Sequence, residues 1–419
     1  MKNYQILIIG GGTAGIMVAA QLKKANSGLK IGIIEPSEKH YYQPAWTLVG
    51  ADAYKFEDTV RPMKSLIPKG VDWIKEYAES FQSSENQVTT KNGNKYTYEY
   101  LVVAPGLVMD LTLIEGLEES LDKGVVCSNY TNPKYTWEVL RNFKGGNAVF
   151  TQPTTPIKCG GAPQKIAYLA ADYLRKINLA SKSNVVFATP GSVIFGVKPI
   201  ADTLMKVISK YDIHFKPFYA PIKIDGKNKE ITFQSVAPGE NQCMVNEGNV
   251  LGEELHGETT IKMPFDMLHL APPQTAPLFI KNSDLVNEAG WLDVNIETLQ
   301  HTKYPNIFGL GDVAALPTAK TGAAIRKQVP VVVTNLLHLI KNSRITDKKY
   351  NGYSSCPLVT GYGKMVLAEF DYKGNFTPDP KLKRMLVFNS DKEHWRLWML
   401  KKYMLPYLYW NKMMKGENV

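Results

Sequence analysis

Residues 4–20 read YQILIIGGGTAGIMVAA, and residues 29–35 read LKIGIIE. The apolar run of the first stretch predicts a buried strand that turns through glycines into a helix, and the second stretch predicts a parallel strand beside it. The glycines also break the continuous apolar region that a signal peptide needs, so we expect no leader. These two stretches predict a βαβ unit and indicate an α/β fold.

The turn between this strand and its helix has the G-x-G-x-x-G spacing that binds a dinucleotide. Gly10 allows the tight turn, Gly12 lets the backbone approach a pyrophosphate, and Gly15 lets the helix pack closely on the strand. The positive end of the helix then faces the phosphates. Glu35 ends the second strand, where a carboxylate accepts ribose hydroxyls and disfavours a 2′-phosphate.

Two later stretches favour FAD over NAD as that dinucleotide. Residues 100–106, YLVVAPG, and residues 306–312, NIFGLGD, each predict a strand that ends in a glycine turn. Both resemble, in this order, stretches of flavoproteins that carry two dinucleotide-binding domains. The resemblance implies that Asp312 meets the ribityl chain of FAD. It adds three further cofactor-binding residues, which are Ala104, Gly106 and Gly311.

A second α/β stretch begins with the predicted strand NAVFTQP at residues 147–153. A second G-x-G-x-x-G for NADH or NADPH is expected after it, but residues 154–165 read TTPIKCGGAPQK. The pattern therefore favours a second Rossmann-like domain without a nicotinamide-nucleotide site, and an electron donor other than NADH.

The expected fold class is α/β, with two Rossmann-like dinucleotide-binding domains of the FAD/NAD(P)-binding flavoprotein fold and an amphipathic helical C-terminal tail. Composition changes beyond residue 350, where Trp, Tyr, Met and Lys become frequent. We expect four segments: the first part of the FAD-binding domain, the second Rossmann-like domain, the return to the FAD-binding domain, and the tail. Their expected boundaries are 1–115, 116–290, 291–385 and 386–419.

Four cysteines without a C-x-x-C pair argue against zinc, and no metal is expected. Cys159 precedes a predicted helix over 163–176, whose positive end would stabilise a thiolate together with Lys158 and Lys165. Gly160 and Gly161 would let a flat ring or a substrate approach its sulfur. A small buried residue is the alternative interpretation.

Cys356 is predicted to lie in a polar turn before a strand. Cys159 and Cys356 could form a reversible disulfide beside the flavin, but the sequence separation alone does not show that they meet. Cys127 and Cys243 have no comparable context, and we expect them to be ordinary buried residues.

Longer stretches around Cys159 and Cys356 resemble one family. IKCGGAPQKI (157–166) and SCPLVTGYGKMVLAEFDYKG (355–374) look like the two redox-cysteine segments of sulfide:quinone oxidoreductases, in particular the two-cysteine group that includes the mitochondrial enzymes. The similarity covers nearly the whole chain. Further matching stretches are EPSEKHYYQPAWTLVGA (35–51), GWLDVNIETLQHTKYPNIFGLGD (290–312) and LPTAKT (316–321).

The resemblance implies that Cys159 and Cys356 are the catalytic pair. It adds five residues to the FAD contacts: Thr13 and Ala14 in the phosphate turn, Gln43 by the flavin, Ala78 by the adenine, and Lys320. Some relatives attach the flavin covalently through a third cysteine. The CSNYT sequence around Cys127 resembles the two-cysteine group instead, so we expect FAD to be bound non-covalently.

The implied reaction is the oxidation of hydrosulfide. Hydrosulfide attacks a Cys159–Cys356 disulfide, or a version with an inserted sulfur, and leaves a persulfide, expected on Cys159, and a thiolate, expected on Cys356. Electrons pass through FAD to a membrane quinone, and a small nucleophile (sulfite, a thiol or sulfide) removes the sulfane sulfur. The alternative is a type II NADH:quinone dehydrogenase-like flavoprotein, which would need the missing second glycine pattern.

The net charge of +10 favours anionic partners. Because a quinone lies in the bilayer, the tail DKEHWRLWMLKKYMLPYLYWNKMMKG (391–416) is interpreted as a membrane-surface segment with one aromatic face. Its basic residues, among them Lys401, are expected to meet lipid phosphates, and Pro406 is expected to divide it into two short helices. A docking helix for another subunit or for the protein's own core is the alternative.

We therefore expect a peripheral (monotopic) membrane protein, at the cytoplasmic face of a bacterial inner membrane. A homo-oligomer is possible on this sequence. Nucleic acid is not expected as a partner, because motifs that combine aromatic and basic residues for that purpose are missing elsewhere in the sequence.

Overall fold

The computed structural model describes residues 2–237 and 249–418 of the chain. Cys243 lies outside the described residues. The strands follow the chain as β1 (Lys2–Ile9), β2 (Ile31–Ile34), β3 (Lys39–Tyr41), β4 (Val60–Pro62), β5 (Val71–Ile74), β6 (Ala78–Gln82), β7 (Gln87–Thr90), β8 (Lys95–Val103), β9 (Val108–Met109), β10 (Val126–Cys127), β11 (Gly146–Thr151), β12 (Ser183–Ala188), β13 (His214–Lys216), β14 (Tyr219–Asp225), β15 (Glu230–Ser235), β16 (Glu254–His256), β17 (Thr260–Pro264), β18 (Met267–Leu270), β19 (Gln274–Thr275), β20 (Ile307–Gly309), β21 (Ser354–Gly361) and β22 (Lys364–Phe370).

The α-helices are α1 (Thr13–Ala25), α2 (Trp46–Val49), α3 (Leu117–Ser120), α4 (Pro133–Asn142), α5 (Ala162–Lys176), α6 (Lys198–Tyr211), α7 (Leu278–Lys281), α8 (Gly322–Asn342), α9 (Trp395–Met399) and α10 (Leu405–Asn411). The first βαβ unit and the helix expected over 163–176 are thus present, as β1, α1 and β2 and as α5.

The first sheet positions the predicted dinucleotide site. Its order is β5-β2-β1-β8-β7-β6, and β20 pairs in parallel with the C-terminal part of β8. The register aligns Ile9 of β1 with Ile34 of β2 and with Val103 of β8, which in turn faces Gly309 of β20. The carboxyl ends of these four parallel strands therefore meet at one edge, where α/β sheets bind their ligands.

The second sheet, β10-β18-β11-β12-β13, is parallel throughout. The chain leaves the carboxyl end of β11 at Thr151, passes through the loop that holds Cys159, and enters α5. An antiparallel sheet, β14-β15-β17-β16, follows within the same part of the chain. Both α/β halves expected from the sequence are thus formed, which confirms the fold class.

The hairpin of β21 and β22 carries Cys356 against α5. The expectation of a polar turn at Cys356 is wrong, because this residue is the third in β21 and pairs with Ala368 of β22. Its side chain is buried in the core shared by α5 and the hairpin.

The expected domain boundaries can be compared with the packing. Leu270 is the last residue of the second sheet, and the following side chains of Ala276, Ile280 and Leu285 pack in a core of the first sheet. These three side chains precede the expected boundary at 290, whereas Ala271 packs with Tyr130 of the second segment. The expected boundaries at 115, 290 and 385 remain predictions.

The tail is helical from Trp395 to Asn411, because a π-helical segment, Leu400–Met404, joins α9 to α10. The expectation that Pro406 divides two separate helices is therefore wrong. A proline ring normally clashes with the carbonyl four residues earlier, and the wider π turn before Pro406 relieves that conflict.

Candidate active site

The glycine turn after β1 has the shape that the sequence predicts. Gly10 has φ +99°, and a Cβ there would lie 2.4 Å from the carbonyl oxygen of Ala104. A Cβ on Gly15 would lie 1.9 Å from the carbonyl oxygen of Gly10. No atom of the described residues lies within 4 Å of a Cβ built on Gly12, so the backbone is open there to an incoming group.

Glu35 supports this turn directly. Its Oε2 accepts a hydrogen bond of 2.7 Å from the amide of Gly11, and its Oε1 accepts one of 2.7 Å from the amide of Ser37. Burial raises the pKa of Glu35, while the two amides oppose that shift. Each carboxylate oxygen still has a lone pair for a ribose hydroxyl, so the expected role at the ribose is compatible with this arrangement.

Asp312 lies in a buried hollow beside the glycine turn. Its Oδ1 has no hydrogen-bond partner among the described residues, and burial raises its pKa. The preceding Gly311 has φ +77°. A Cβ built on Gly311 would lie 3.5 Å from the Cβ of Ala14. The Nζ of Lys320 donates to the backbone oxygens of Asp312 and Ala314, at 2.6 and 3.1 Å.

These residues fit a flavin dinucleotide. A buried carboxylate oxygen without a partner is costly unless a ligand donates to it, and a ribityl hydroxyl is such a donor. The open backbone at Gly12 and the N-terminus of α1 suit a pyrophosphate. Gly106, with φ +75° and no neighbouring atom of the described residues within 4 Å of a built Cβ, adds a second open stretch beside Ala104.

The structure brings together Cys159 and Cys356, with their Sγ atoms 3.9 Å apart. The Nζ of Lys165, in the first turn of α5, lies 2.9 Å from the Sγ of Cys159. The backbone of Cys159 has φ +54°, a left-handed conformation that is uncommon outside glycine and concentrates at functional sites. The amide of Cys159 donates to the carbonyl of Lys320 at 2.8 Å. This hydrogen bond connects the cysteine pair to Lys320, whose side chain contacts the backbone of Asp312.

The two glycines after Cys159 differ in their surroundings. A Cβ on Gly161 would lie 2.6 Å from the Sγ of Cys356 and 2.5 Å from the Cδ2 of Leu358. Gly161 therefore lets β21 approach α5, and the expectation that it gives a ring or substrate access to the sulfur is wrong. Gly160 has no neighbouring atom of the described residues within 4 Å of a built Cβ, so access there is possible.

The charges around the pair favour a thiolate on Cys159. The hydrogen bond from Cys356 holds the pKa of Cys159 well below its usual range, against the effect of burial and with the help of Lys165. The same hydrogen bond and burial raise the pKa of Cys356. Burial lowers the pKa of Lys165, but the two sulfurs together raise it above its usual value.

Lys401, from the tail, is the site residue that sequence reasoning assigned wrongly. Its side chain is 3% exposed and donates to the carbonyl of Pro44 at 2.6 Å, so it does not face lipid. Burial and the charge of Lys165 lower the pKa of Lys401 to about 7, while the sulfurs of Cys159 and Cys356 oppose the shift. A basic residue in an amphipathic sequence gives no signal that distinguishes a buried position from a lipid-facing one.

The remaining predicted residues have less direct connections to the pair. Gln43 begins the 3-10 turn Gln43–Ala45, whose Pro44 contacts Lys401. Ala78 is buried at the start of β6, on the outer strand of the first sheet. Cys127 is fully buried in β10 with its Sγ 3.5 Å from the carbonyl of Leu268, and burial raises its pKa.

Two curated proteins named "Sulfide:quinone oxidoreductase, mitochondrial" are similar to almost the whole chain. That of Mus musculus is 41% identical over 417 residues, which cover 99% of this chain and 87% of that protein. That of Dictyostelium discoideum is 41% identical over 424 residues, which cover 100% of this chain and 87% of that protein. By contrast, "Type II NADH:quinone oxidoreductase" of Staphylococcus aureus is 29% identical over 118 residues, 27% of this chain and 29% of that protein.

A profile of the family described as "Pyridine nucleotide-disulphide oxidoreductase" matches residues 4–151. Two solved structures have the same fold. The sulfide:quinone oxidoreductase of Aquifex aeolicus has a TM-score of 0.77 at 22% identity and covers 100% of this chain and 92% of that chain. A chain in a structure of the Tetrahymena thermophila mitochondrial ATP synthase has a TM-score of 0.80 at 20% identity. The match covers 99% of this chain and 96% of that chain.

Proposed function

The chain belongs to the sulfide:quinone oxidoreductases, a family of flavin-dependent oxidoreductases, and we propose that it oxidises hydrosulfide at the Cys159–Cys356 pair. FAD is the proposed flavin and a membrane quinone the proposed acceptor. The observation that carries this proposal is the approach of the two sulfurs to 3.9 Å beside the ammonium group of Lys165.

The proposed reaction starts from a disulfide between the two cysteines. Hydrosulfide forms a new S–S bond to one sulfur as the Cys159–Cys356 bond breaks, which leaves a persulfide on one cysteine and a thiolate on the other. A small nucleophile, such as sulfite, a thiol or a second sulfide, takes the outer sulfur. Closing the disulfide again from the two remaining thiolates releases two electrons, for which a bound FAD would be the acceptor and a quinone the final one.

The ammonium group of Lys165 supports one part of this sequence. In the dithiol pair it favours the first negative charge on Cys159 rather than on Cys356. The same group would stabilise an anionic persulfide on Cys159, so the expectation of a persulfide there and a thiolate on Cys356 stays a prediction.

FAD, when bound, supplies the electron acceptor for the cysteine pair. The backbone of the Gly10–Gly15 turn would hold its pyrophosphate with Thr13 and Ala14, and Asp312 its ribityl chain. The proposed contacts elsewhere are Glu35, Gln43, Ala78, Ala104, Gly106, Gly311 and Lys320. Non-covalent binding is supported by the buried position and raised pKa of Cys127, since a thiol in that state is a poor nucleophile.

The tail is the proposed contact with the membrane. No helix among the described residues is long and apolar enough to cross a bilayer. Large apolar side chains are nevertheless exposed along residues 386–407, at 44–69% of their maximal area; they are Leu386, Phe388, Trp395, Met399, Tyr403, Met404 and Tyr407. The opposite side of the tail, with Trp398 and Leu400, packs in the protein core. The buried side packs on the protein's own core, and the exposed side supports the proposed contact with the membrane.

The membrane to which the tail binds stays a prediction. Three curated relatives carry the word mitochondrial in their names, so they give no support to the cytoplasmic face of a bacterial inner membrane. The nucleophile that accepts the sulfur and the homo-oligomer are predictions as well.

Anaerobic flavin absorbance on mixing with sulfide tests the proposal. The parent should be bleached by sulfide and not by NADH, and Cys159→Ala and Cys356→Ala should each lose the response. Cys127→Ala is the matched control, because it removes a buried thiol of the second sheet that is not paired with another sulfur of the described residues. A parent bleached by NADH but not by sulfide would overturn the proposal in favour of the type II dehydrogenase.

A further inference from the structure

Tyr409, near the end of the chain, reaches the glycine turn at its beginning. Its hydroxyl lies 2.7 Å from the Oγ1 of Thr13 and 2.6 Å from the Nε2 of His40. The Nδ1 of His40 lies 3.1 Å from the carbonyl oxygen of Gly11. Three hydrogen bonds therefore connect Thr13, Tyr409, His40 and Gly11 in one buried network.

The direction of each hydrogen bond follows from the chemistry of its atoms. The carbonyl of Gly11 only accepts, so Nδ1 of His40 donates to it. Burial lowers the pKa of His40 to about 4, so the ring is neutral near pH 7 and its Nε2 accepts. Tyr409 must then donate to His40, and its oxygen accepts from Thr13. The hydroxyl proton of Thr13 is thereby directed toward Tyr409 of the tail.

This network fixes the orientation of the Gly11–Gly12 peptide. In a planar trans peptide the C=O and the next N–H point in opposite directions. When His40 holds the oxygen of Gly11, the amide of Gly12 points away from His40. Gly12 is exposed, with open space on its side of the turn, which is where an anion would approach.

Packing holds the tail end of the network in place. Tyr409 and His40 are each 4% exposed. The Tyr409 ring centroid lies 4.6 Å from that of Tyr42 and 4.9 Å from that of Trp410. Beyond α10, Gly416 packs against the backbone of Ala20 in α1.

We propose that Tyr409 is a positioning residue for the cofactor: through His40 it orients the peptide of the glycine turn so that the backbone is ready for the pyrophosphate of FAD. The proposal rests on the proposed function only for the identity of the dinucleotide. The observed contacts of Tyr409 are with Thr13, His40 and the neighbouring rings, so its proposed effect on FAD is indirect. Because coupling between two equilibria is reciprocal, FAD in turn stabilises the packing of the tail.

The test is the affinity of the flavin-free, full-length chain for FAD, measured by quenching of FAD fluorescence. Tyr409→Phe keeps the ring contacts and removes only the hydroxyl. This variant should raise the Kd for FAD about tenfold, because His40 loses its hydrogen-bond donor and the glycine turn then loses its support. Tyr407→Phe, which removes an exposed hydroxyl of the same helix, should leave the Kd within twofold.

A double variant tests whether the two residues act through one network. His40→Leu should raise the Kd at least as much as Tyr409→Phe does. The double variant should have a Kd within twofold of that of His40→Leu alone. If the flavin-free variants fail to refold, the rate of FAD release from purified holoenzyme gives the same comparison. Tryptic cleavage after Lys412 should also be slowed by FAD in the parent and not in Tyr409→Phe.

An unchanged Kd for Tyr409→Phe would overturn the proposal. A double variant whose increase in Kd equals the product of the two single increases would overturn it as well. A purely structural role of Tyr409 would lower the melting temperatures of the flavin-free and flavin-bound forms equally and leave the Kd unchanged. These results are independent of the substrate, because a chain that binds FAD as described and ignores sulfide would contradict only the proposed function.

Discussion

The Nζ of Lys165 lies 2.9 Å from the Sγ of Cys159, where Lys165 is buried and Cys159 is partly buried between α5 and β21. A buried ammonium group at that distance stabilises a thiolate far more than it would in water. The position of Lys165 in the first turn of α5 adds to the positive end of the same helix. Cys159 is therefore the more reactive sulfur of the pair in the dithiol state.

Replacing Lys165 by methionine should slow the alkylation of Cys159. Without the ammonium group the pKa of Cys159 rises, and at each pH below the new pKa the thiolate fraction falls about tenfold per unit of difference between the pKa and the pH. The rate of reaction with iodoacetamide, followed by mass spectrometry for each cysteine between pH 5 and 9, measures the shift. Lys176→Met removes an exposed lysine of the same helix and should leave the rate unchanged. An equal rate in Lys165→Met would contradict this assignment.

Lys401→Met should change how the reaction with sulfide depends on pH. The pKa of Lys401 is about 7, so its positive charge is present below that pH and lost above it. The parent should be reduced by sulfide several-fold faster than the variant at pH 6, and the two should converge above pH 8. Stopped-flow bleaching of the flavin measures both rates. Lys402→Met, in the next position, should show the same pH dependence as the parent. A ratio of the parental rate to the Lys401→Met rate that stays constant at all pH values would refute the prediction.

Gly161→Ala should separate the two cysteines. The new methyl group would lie 2.6 Å from the Sγ of Cys356, closer than van der Waals contact allows, so β21 must shift. We expect formation of the Cys159–Cys356 disulfide to slow at least about tenfold, as measured by thiol counting during oxidation. Gly196→Ala, in an open position of the second domain, is the control. Disulfide formation at the parental rate would show that the site tolerates the extra group.

Acidification should destabilise the fold through two buried histidines. Burial lowers the pKa of His40 to about 4 and that of His269 to about 3, from 6.5. The unfolded chain therefore binds protons first as the pH falls below 6.5, and folding stability decreases. At pH 5 each histidine should contribute a loss of about 2 kcal/mol relative to pH 7.5.

Urea unfolding of the flavin-free chain at the two pH values measures this loss. Carboxyl groups with raised pKa, such as that of Asp312, change stability in the opposite direction, so the parent alone is not diagnostic. His269→Gln should reduce the loss by about 2 kcal/mol. The same pH dependence in parent and variant would exclude His269 as its source.

The exposed aromatic and apolar residues of the tail should carry membrane binding. The triple variant Tyr403→Ser, Met404→Ser, Tyr407→Ser removes three exposed side chains and should lose most co-sedimentation with vesicles of phosphatidylcholine and phosphatidylglycerol. A triple variant at exposed apolar residues elsewhere, Val193→Ser, Met205→Ser, Leu255→Ser, is the matched control. Equal binding of both variants would show that the tail is not the contact.

Features set by neighbouring residues were predictable from the sequence. The glycine turn follows from local spacing, since Gly15 packs on the backbone of Gly10 within one βαβ unit. The contact of Gly10 with Ala104, after β8, is not local. The helix after Cys159 was placed correctly to within one residue, because its periodicity and Pro163 mark its start.

Features that depend on distant segments were not predictable. The approach of Cys356 to Cys159 requires β21 to pack on α5, which no spacing specifies. The burial of Lys401 depends on which side of an amphipathic helix meets the protein, and basic residues occur on both sides. His40 lies in a stretch that resembles the family and Tyr409 in the aromatic tail, but neither stretch indicates that these two residues meet.

The hydrogen bond between Thr13 and Tyr409 joins positions 396 residues apart, almost the full length of the chain. Because translation starts at the N-terminus, the glycine turn leaves the ribosome long before Tyr409 does. The network can form only once residue 409 has been made, so the proposed support of the turn arrives late and cofactor loading becomes a late step of biogenesis. With the proposed role of Tyr409, a truncation just before this residue would keep the residues of both sheets and still yield a protein that holds its flavin poorly.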